Sequence, residues 1–109
     1  MLTLCRPLAV FSTFWAITSA ASAQSVDPSI GRRVAESTCS ACHQVDANSS
    51  APSPNASAPG FVAISRMPST TELTIKVFLR TSHAGMPNIM LSKEEADSLA
   101  AYILGLAGK

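Results

Sequence analysis

The stretch Cys39-Ser40-Ala41-Cys42-His43 decides both the fold and the chemistry of this chain. Its two cysteines are three residues apart, and a histidine follows directly. Residues three and four apart share one face of a helix, so both thiols and the imidazole of His43 can address one flat ligand. This pattern is typical of the attachment site of a c-type haem, which is held by two thioethers and by a histidine on the iron.

Two other interpretations of Cys39, Cys42 and His43 are weaker. A redox-active disulfide motif normally lies near a βαβ pattern, and this sequence carries no strand signal. A zinc site requires a second pair of ligands, which the chain lacks. We therefore predict one covalently attached haem c, with Cys39 and Cys42 as its covalent anchors and His43 as a ligand of the iron.

The first 23 residues have the composition of a secretory signal peptide. Arg6 is followed by an apolar run from Leu8 to Ala20 and then by the small residues Ala21-Ser22-Ala23. We predict a signal peptide at 1–23, cleavage after Ala23 and a periplasmic domain at 24–109. An uncleaved membrane anchor is the alternative, but the apolar run is shorter than the roughly 20 residues that span a bilayer.

Residues 24–109 carry seven basic and seven acidic side chains, and this balance excludes the basic surface of a nucleic-acid binder. Cys5 lies in the predicted signal peptide, so no structural disulfide is available to the domain. A domain of this size has a thin core, and its aromatic residues are only Phe61, Phe78 and Tyr102. We predict that the haem completes the interior and that the haem-free polypeptide is largely unfolded.

The apolar periodicity predicts three or four helices and two loops. Asp27 as N-cap and Pro28 at the first position predict a helix from Pro28 to His43. The polar segment Gln44–Pro59 predicts an ordered loop, with a flexible linker as the alternative. The apolar residues 61–64 predict a short helix or an extended strip of core.

Two capping-box patterns predict the remaining helices. Ser69 with Glu72 opens a helix to about Leu79, and its inward side chains are predicted to be Leu73, Val77 and Phe78. Ser92 with Glu95 opens the last helix, whose apolar stripe is predicted to be Leu99, Tyr102, Ile103 and Leu106. Four basic residues are predicted to lie on a solvated surface: Arg66, Lys76, Arg80 and Lys93.

Together these features resemble the class I cytochrome c family, and most of all its small periplasmic members from proteobacteria. The matching elements span residues 24–109 almost end to end: Gly31, the pentapeptide 39–43, Pro59-Gly60-Phe61 with Ile64, Gly85-Met86-Pro87, and Ala101-Tyr102-Ile103 with Leu106. The resemblance implies an all-α cytochrome c fold, in which three to four helices and loops wrap around one covalently bound haem.

The resemblance also implies roles for single residues. Gly31 would let the first helix cross the last one closely, against Tyr102. The carbonyl of Pro52 or Pro54 would accept the Nδ1–H of His43. Met86 would be the sixth ligand of the iron.

Met67, Met90 and His83 are the alternatives to Met86 as iron ligand. Met86 lies between a glycine and a proline, where a rigid loop can present its sulfur. Met90, just before the last helix, is the stronger of the two other methionines. His83 is predicted to be a surface or haem-edge residue.

A protein with His43 and Met86 on its iron has no free site for a substrate. The resemblance therefore implies a monomeric, non-enzymatic one-electron carrier that works by outer-sphere transfer through the haem edge. Its redox partners would be a periplasmic dehydrogenase or a membrane oxidase or reductase complex, with no nucleic acid and no stable membrane insertion. The alternatives are a dedicated cytochrome subunit of an oxidoreductase complex, and a haem enzyme or gas-reactive protein with a labile sixth ligand.

Overall fold

The computed structural model describes residues 25–83 and 85–109, so the predicted signal peptide lies outside the described residues. Within those ranges four α-helices follow one another, and no strand forms. They are α1 (Pro28–Val34), α2 (Phe61–Ser65), α3 (Glu72–Arg80) and α4 (Lys93–Gly105). None of these helices combines the length and the apolarity needed to cross a membrane. The predicted all-α fold class is confirmed.

Helix α1 begins at the residue that the sequence predicts. The carboxylate of Asp27 accepts a hydrogen bond from the backbone N–H of Ser29 at 2.8 Å, which satisfies one unpaired donor of the first turn. Pro28 occupies the first helical position, where its missing N–H costs no hydrogen bond. The backbone N–H of Asp27 also donates to the Oγ of Ser98 in α4 at 3.3 Å, so the cap ties the first helix to the last.

The prediction of one continuous helix to His43 is wrong. After Val34 the backbone widens into a π-helical segment, Ala35–Cys39, in which the N–H of Ser40 donates to the carbonyl of Ala35 at 3.0 Å. Such single wide turns are frequent at functional sites, and this one leads directly into the pentapeptide. Sequence periodicity cannot distinguish it from an α-helix, because both bury the same apolar positions over so short a span.

Gly31 lies where α1 crosses α4. A Cβ at this position would overlap the carbonyl group of Ser98 and would lie 2.8 Å from the backbone nitrogen of Leu99, so only glycine fits. The predicted close crossing is confirmed, and the α4 atoms nearest to Gly31 are backbone atoms of Ser98 and Leu99, about one turn before Tyr102. The hydroxyl of Tyr102 donates to the carbonyl of Val45 at 2.8 Å and fastens the first loop to α4.

The segment between the pentapeptide and α2 is an ordered loop, as predicted. The backbone N–H of Gln44 donates to the Oγ of Ser53 at 3.0 Å, and its side-chain amide donates to the Oγ of Ser49 at 2.8 Å. The N–H of Asn55 donates to the carbonyl of Cys42 at 3.1 Å. These bonds hold the loop against the pentapeptide, and the linker alternative is wrong.

Helix α3 uses a different N-cap from the predicted Ser69. The hydroxyl of Thr71 accepts from the N–H of Thr74 at 3.2 Å, and the hydroxyl of Thr74 accepts from the N–H of Thr71 at 2.8 Å. Thr74 thus occupies the N3 position of this capping box, where the sequence pattern predicts a glutamate. Because Ser69, Thr70 and Thr71 can all cap a helix, tertiary contacts decide which one does.

The inward face of α3 also differs from the prediction. Leu73 and Val77 are 68% and 51% exposed, whereas Ile75 is buried and Leu79 packs against the core. Phe78 is 55% exposed but lines the large cavity, so its predicted inward direction holds. Residues 73 and 77 form one i, i+4 stripe and residues 75 and 79 form another, on nearly opposite sides of the helix. Both stripes have the same period, so periodicity alone does not show which one is buried.

Helix α4 follows the prediction closely. The hydroxyl of Ser92 accepts from the N–H of Glu95 at 3.2 Å, while the carboxylate of Glu95 accepts from the N–H of Ser92 at 2.8 Å. Leu91, just before this capping box, packs against the core. The helix ends at Gly105 and continues as a short 3-10 turn. The predicted stripe forms the centre of the core, with one member only partly buried: Leu99, Tyr102, Ile103 and Leu106.

Asp97 is a largely buried carboxylate that joins α4 to α3. Its Oδ1 lies 2.8 Å from the Nζ of Lys76, and its Oδ2 lies 2.7 Å from the Nζ of Lys93. Lys76 is 26% exposed and therefore only partly solvated, whereas Lys93 is 72% exposed and lies on the predicted solvated surface. Hydrogen bonds from these two ammonium groups lower the pKa of Asp97 to about 2.

Replacing Asp97 with asparagine is expected to lower the stability of the protein near neutral pH. It is also expected to reduce the further loss of stability that the wild-type protein shows in acid. The ordinary pKa of this carboxyl is 3.8, and the folded value is about 2. The ionised group therefore stabilises the fold above about pH 4, and this contribution is lost as the pH falls towards 2. Thermal unfolding of the haem-loaded protein across this range measures the effect.

The matched control is Glu94→Gln, which removes an exposed carboxylate from the same helix. It should leave the acid dependence of the melting temperature unchanged. An Asp97→Asn variant that keeps the wild-type slope between about pH 4 and pH 2 would contradict the assignment of this ion pair as a stabilising contact.

Candidate haem site

The pentapeptide opens onto a cavity of about 730 Å³, a volume typical of cofactor pockets. All four residues predicted from the sequence as site residues line it: Cys39, Cys42, His43 and Met86. The other lining residues come from the π-helical segment, the first loop between the pentapeptide and α2, the helices α2, α3 and α4, the connection between α2 and α3, and the second loop between α3 and α4. Most of the large ones are apolar: Phe61, Ile64, Met67, Ile75, Phe78, Leu79, Ile89 and Ile103.

A tight turn presents the pentapeptide to this cavity. The N–H groups of Cys42 and His43 donate to the carbonyl of Cys39 at 3.1 and 2.9 Å, so the three side chains belong to one turn although α1 has already ended. Burial raises the pKa of the Cys39 thiol to about 11. Reactive cysteines of redox-disulfide motifs have a lowered pKa instead, which disfavours that alternative.

The ring of His43 is held by a carbonyl that the sequence did not indicate. Its Nδ1 lies 2.7 Å from the carbonyl oxygen of Pro59, so both expected acceptors, Pro52 and Pro54, are wrong. The reason is the path of the loop: the N–H of Phe61 donates to the carbonyl of Gln44 at 2.8 Å, and this brings residues 59–61 alongside the pentapeptide.

This hydrogen bond determines the tautomer of His43. A carbonyl oxygen only accepts, so Nδ1 carries the proton and Nε2 keeps its lone pair. The ring also packs against Phe61, with centroids 5.4 Å apart, and Phe61 is only 4% exposed. A ring that is oriented in this way, with one nitrogen tied to a carbonyl, is prepared to bind a metal through the other nitrogen.

Met86 reaches the same cavity from the loop that follows α3. Its N–H donates to the carbonyl of His83 at 2.8 Å and closes a four-residue turn. Gly85 has a φ of +81° in this turn, a conformation that glycine adopts without strain. Met90, the alternative ligand, is 88% exposed, whereas Met86 is partly buried.

Two residues of the site were not assigned from the sequence. Pro59 was not among the expected partners of His43. For His83 the sequence predicted either a surface position or a position at the haem edge. The structure places His83 in the cavity wall. Pro59 lies two residues before the start of α2, next to its N-cap Gly60, and this position near a helix start was the one local signal that set it apart from the other two prolines. No local signal showed on which side of the second loop His83 would lie.

The residues present fit a haem c. Two thiols from one turn, an imidazole with a free Nε2 and a thioether from a separate loop are the donors that this group requires. The apolar walls suit a flat macrocycle, because they bury it without leaving polar groups unpaired. Together, the helical fold and this donor set define a c-type cytochrome.

Comparison with known proteins agrees with this class. The family model described as cytochrome c oxidase, cbb3-type, subunit III matches residues 26–103. Cytochrome c-552 of Bradyrhizobium diazoefficiens is 36% identical over 100 residues, which cover 92% of this chain and 88% of that protein. No solved structure matches the chain. The chain belongs to the family of class I-type monohaem c-type cytochromes, electron carriers with covalently bound haem c.

Proposed function

We propose that this protein is a periplasmic electron carrier that exchanges single electrons by outer-sphere transfer through an edge of its haem. The main support for this proposal is that His43, oriented by its hydrogen bond, and Met86, from the loop after α3, line the same apolar cavity. A haem bound there supplies the ferric–ferrous couple. The protein supplies attachment, axial ligands and a low-polarity environment.

Each site residue has its own task in this proposal. The thiols of Cys39 and Cys42 would hold the haem covalently, and Nε2 of His43 and Sδ of Met86 would bind its iron. The Pro59 carbonyl keeps His43 in the tautomer that can bind iron. With both side chains on the iron, no place would be left for a substrate, which favours electron transfer over catalysis.

The apolar walls around these ligands serve the same purpose. Phe61 and Ile103 are 4% and 3% exposed, and Ile75 is 6% exposed, so these side chains exclude water from the cavity interior. A thioether ligand and a dry environment both raise the reduction potential. Few polar groups then have to reorient when the charge of the iron changes.

The cavity rim offers a surface for a redox partner. Met67 and Phe78 line the cavity and are 46% and 55% exposed, so apolar side chains surround the opening. Short-lived redox contacts bury small areas, and a rim of this kind suits them. The proposed partners are a periplasmic dehydrogenase or a membrane oxidase or reductase complex.

Residues 1–23 are proposed to be a signal peptide and residues 24–109 the cytochrome domain. The composition of the first segment supports export across the inner membrane. The family match begins at residue 26, just after the proposed cleavage site. Mass measurement of the protein from the periplasmic fraction tests this division, and a mass that includes residues 1–23 would favour a retained anchor.

A dedicated subunit of an oxidase complex is the second candidate function. It is favoured by one observation, the match to a family described by a subunit of cbb3-type cytochrome c oxidase. Affinity purification from solubilised membranes distinguishes the two. Stable recovery with one large complex supports the subunit, and recovery as a free monomer supports the carrier.

The visible spectra of the oxidised and reduced protein test the carrier function. We expect a low-spin c-type spectrum in both states and no rapid reaction of the reduced protein with carbon monoxide, because both axial positions are filled. Rapid carbon monoxide binding at neutral pH would show a vacant or labile position. That result would favour the haem enzyme or gas-reactive alternative.

Replacing Met86 with alanine is expected to remove the weak sulfur–iron absorption band of the oxidised protein and to lower the reduction potential, because the thioether ligand is lost. The matched control is Met90→Ala, which removes a side chain that is 88% exposed and should change neither property. If the band persists without Met86 and disappears without Met90, then Met90 is the ligand.

A further inference from the structure

His83 and Met86 present their side chains to the cavity from the two ends of one turn. An antiparallel bridge joins the two residues, and the N–H of Met86 donates to the carbonyl of His83 at 2.8 Å. Residues opposite each other in such a bridge project from the same face, with Cβ atoms about 5 Å apart. Both residues line the cavity, so imidazole and thioether are neighbours in its wall.

The ring of His83 is held in the same tautomer as that of His43. Its Nδ1 lies 2.9 Å from the carbonyl oxygen of Thr81, so Nδ1 donates and Nε2 keeps its lone pair. His43 has the same arrangement with Pro59. A backbone carbonyl on one nitrogen prepares a histidine to bind a metal through the other. Both histidines that line this cavity therefore meet that condition.

The contacts that hold His83 allow it to move towards a metal. Its ring stands edge-on to Phe78, with centroids 4.9 Å apart and an interplanar angle of 85°, and Phe78 is itself 55% exposed. The acceptor on Thr81 is only two residues away, so it moves with the same loop. Neither contact involves a buried residue, so a movement of His83 does not disturb the core.

We propose that His83 is a second axial ligand, which binds the haem iron through Nε2 whenever the sulfur of Met86 is not bound. The inference rests on the proposed function, in which Met86 is the usual ligand. The exchange breaks an iron–sulfur bond and forms an iron–nitrogen bond. No electron or proton is transferred, because Nε2 of the neutral ring already carries a lone pair. The thioether is a soft ligand and imidazole suits iron well, so the oxidised protein favours the exchange.

The test compares Met86→Ala with the double variant Met86→Ala/His83→Ala in haem-loaded protein. We expect the single variant to remain low-spin in its oxidised visible and electron paramagnetic resonance spectra, and the double variant to become high-spin. Carbon monoxide should bind the reduced single variant more weakly than the reduced double variant, by on the order of tenfold, if His83 occupies the sixth position of the iron about nine-tenths of the time. Equal spin states and equal affinities in the two variants would overturn the proposal.

The same pair is made with Met86→Leu, which keeps the volume of the side chain and the packing of the loop. This pair decides between the two outcomes if the alanine variants do not incorporate haem. The wild-type spectrum separates this proposal from the proposed function. A missing sulfur–iron band in wild-type protein contradicts Met86 as the usual ligand, whereas the paired variants report on His83 alone.

Discussion

Replacing Gly31 with alanine is expected to lower the free energy of unfolding by about 3 kcal/mol, a loss at the upper end for overpacked sites. The added Cβ would overlap the carbonyl of Ser98 and approach the backbone nitrogen of Leu99 to 2.8 Å. Backbone atoms cannot rotate away as a side chain does, so α1 must separate from α4. Denaturant unfolding of the haem-loaded protein, followed by circular dichroism, measures the loss.

Gly105→Ala is the matched control for this experiment. Gly105 also lies in a helix, but a Cβ there meets no atom within 4 Å. Alanine should therefore stabilise the protein by roughly 0.5–1 kcal/mol, because it reduces the entropy of the unfolded chain and favours the helix. Similar effects of the two substitutions would show that the crossing of α1 and α4 is not close in solution.

A polypeptide that cannot attach haem, such as the Cys39→Ser/Cys42→Ser variant, is expected to show no cooperative thermal transition. Haem would fill the cavity of about 730 Å³. At about 24 cal/mol per Å³, an unfilled cavity of this size would cost on the order of 18 kcal/mol. Because the cavity opens to water, this figure is an upper bound, yet even a third of it exceeds the roughly 5 kcal/mol by which many small domains are stable.

Ser40→Ala serves as the control, because it changes the pentapeptide but keeps both anchors and His43. It should yield haem-loaded protein with a normal spectrum, whereas the double serine variant should have the mass of the bare polypeptide. His43→Ala should also prevent maturation. A sharp melting curve from haem-free protein, recorded by far-ultraviolet circular dichroism, would contradict the view that haem completes the core.

The proposed role of His83 would give the second loop two ligands of different strength. Methionine and histidine differ in their preference for the two oxidation states of iron, so the occupant of the sixth position would influence the reduction potential. The short turn closed by Met86 and His83 makes this arrangement compact. A carrier with such a loop would lose Met86 from its iron without exposing an open site.

The features that could be predicted from the sequence depend on covalent order and on a few neighbouring residues. The pentapeptide, the N-cap at Asp27 and the capping box of Ser92 and Glu95 are all of this kind. Their physics is local: two anchors must be three residues apart, and a cap must reach the N–H groups of its own first turn. The all-α class and the stripe on α4 follow from periodicity for the same reason.

Where several residues are locally equivalent, long-range packing selects the one that meets a given partner. Pro59 rather than Pro52 or Pro54 binds His43, and Ile75 rather than Leu73 faces the core of the protein. Each of these choices depends on where a distant segment passes, and packing sets that path. Neither the spacing of apolar residues nor the presence of prolines carries this information, because alternatives of equal local energy differ only in their long-range contacts.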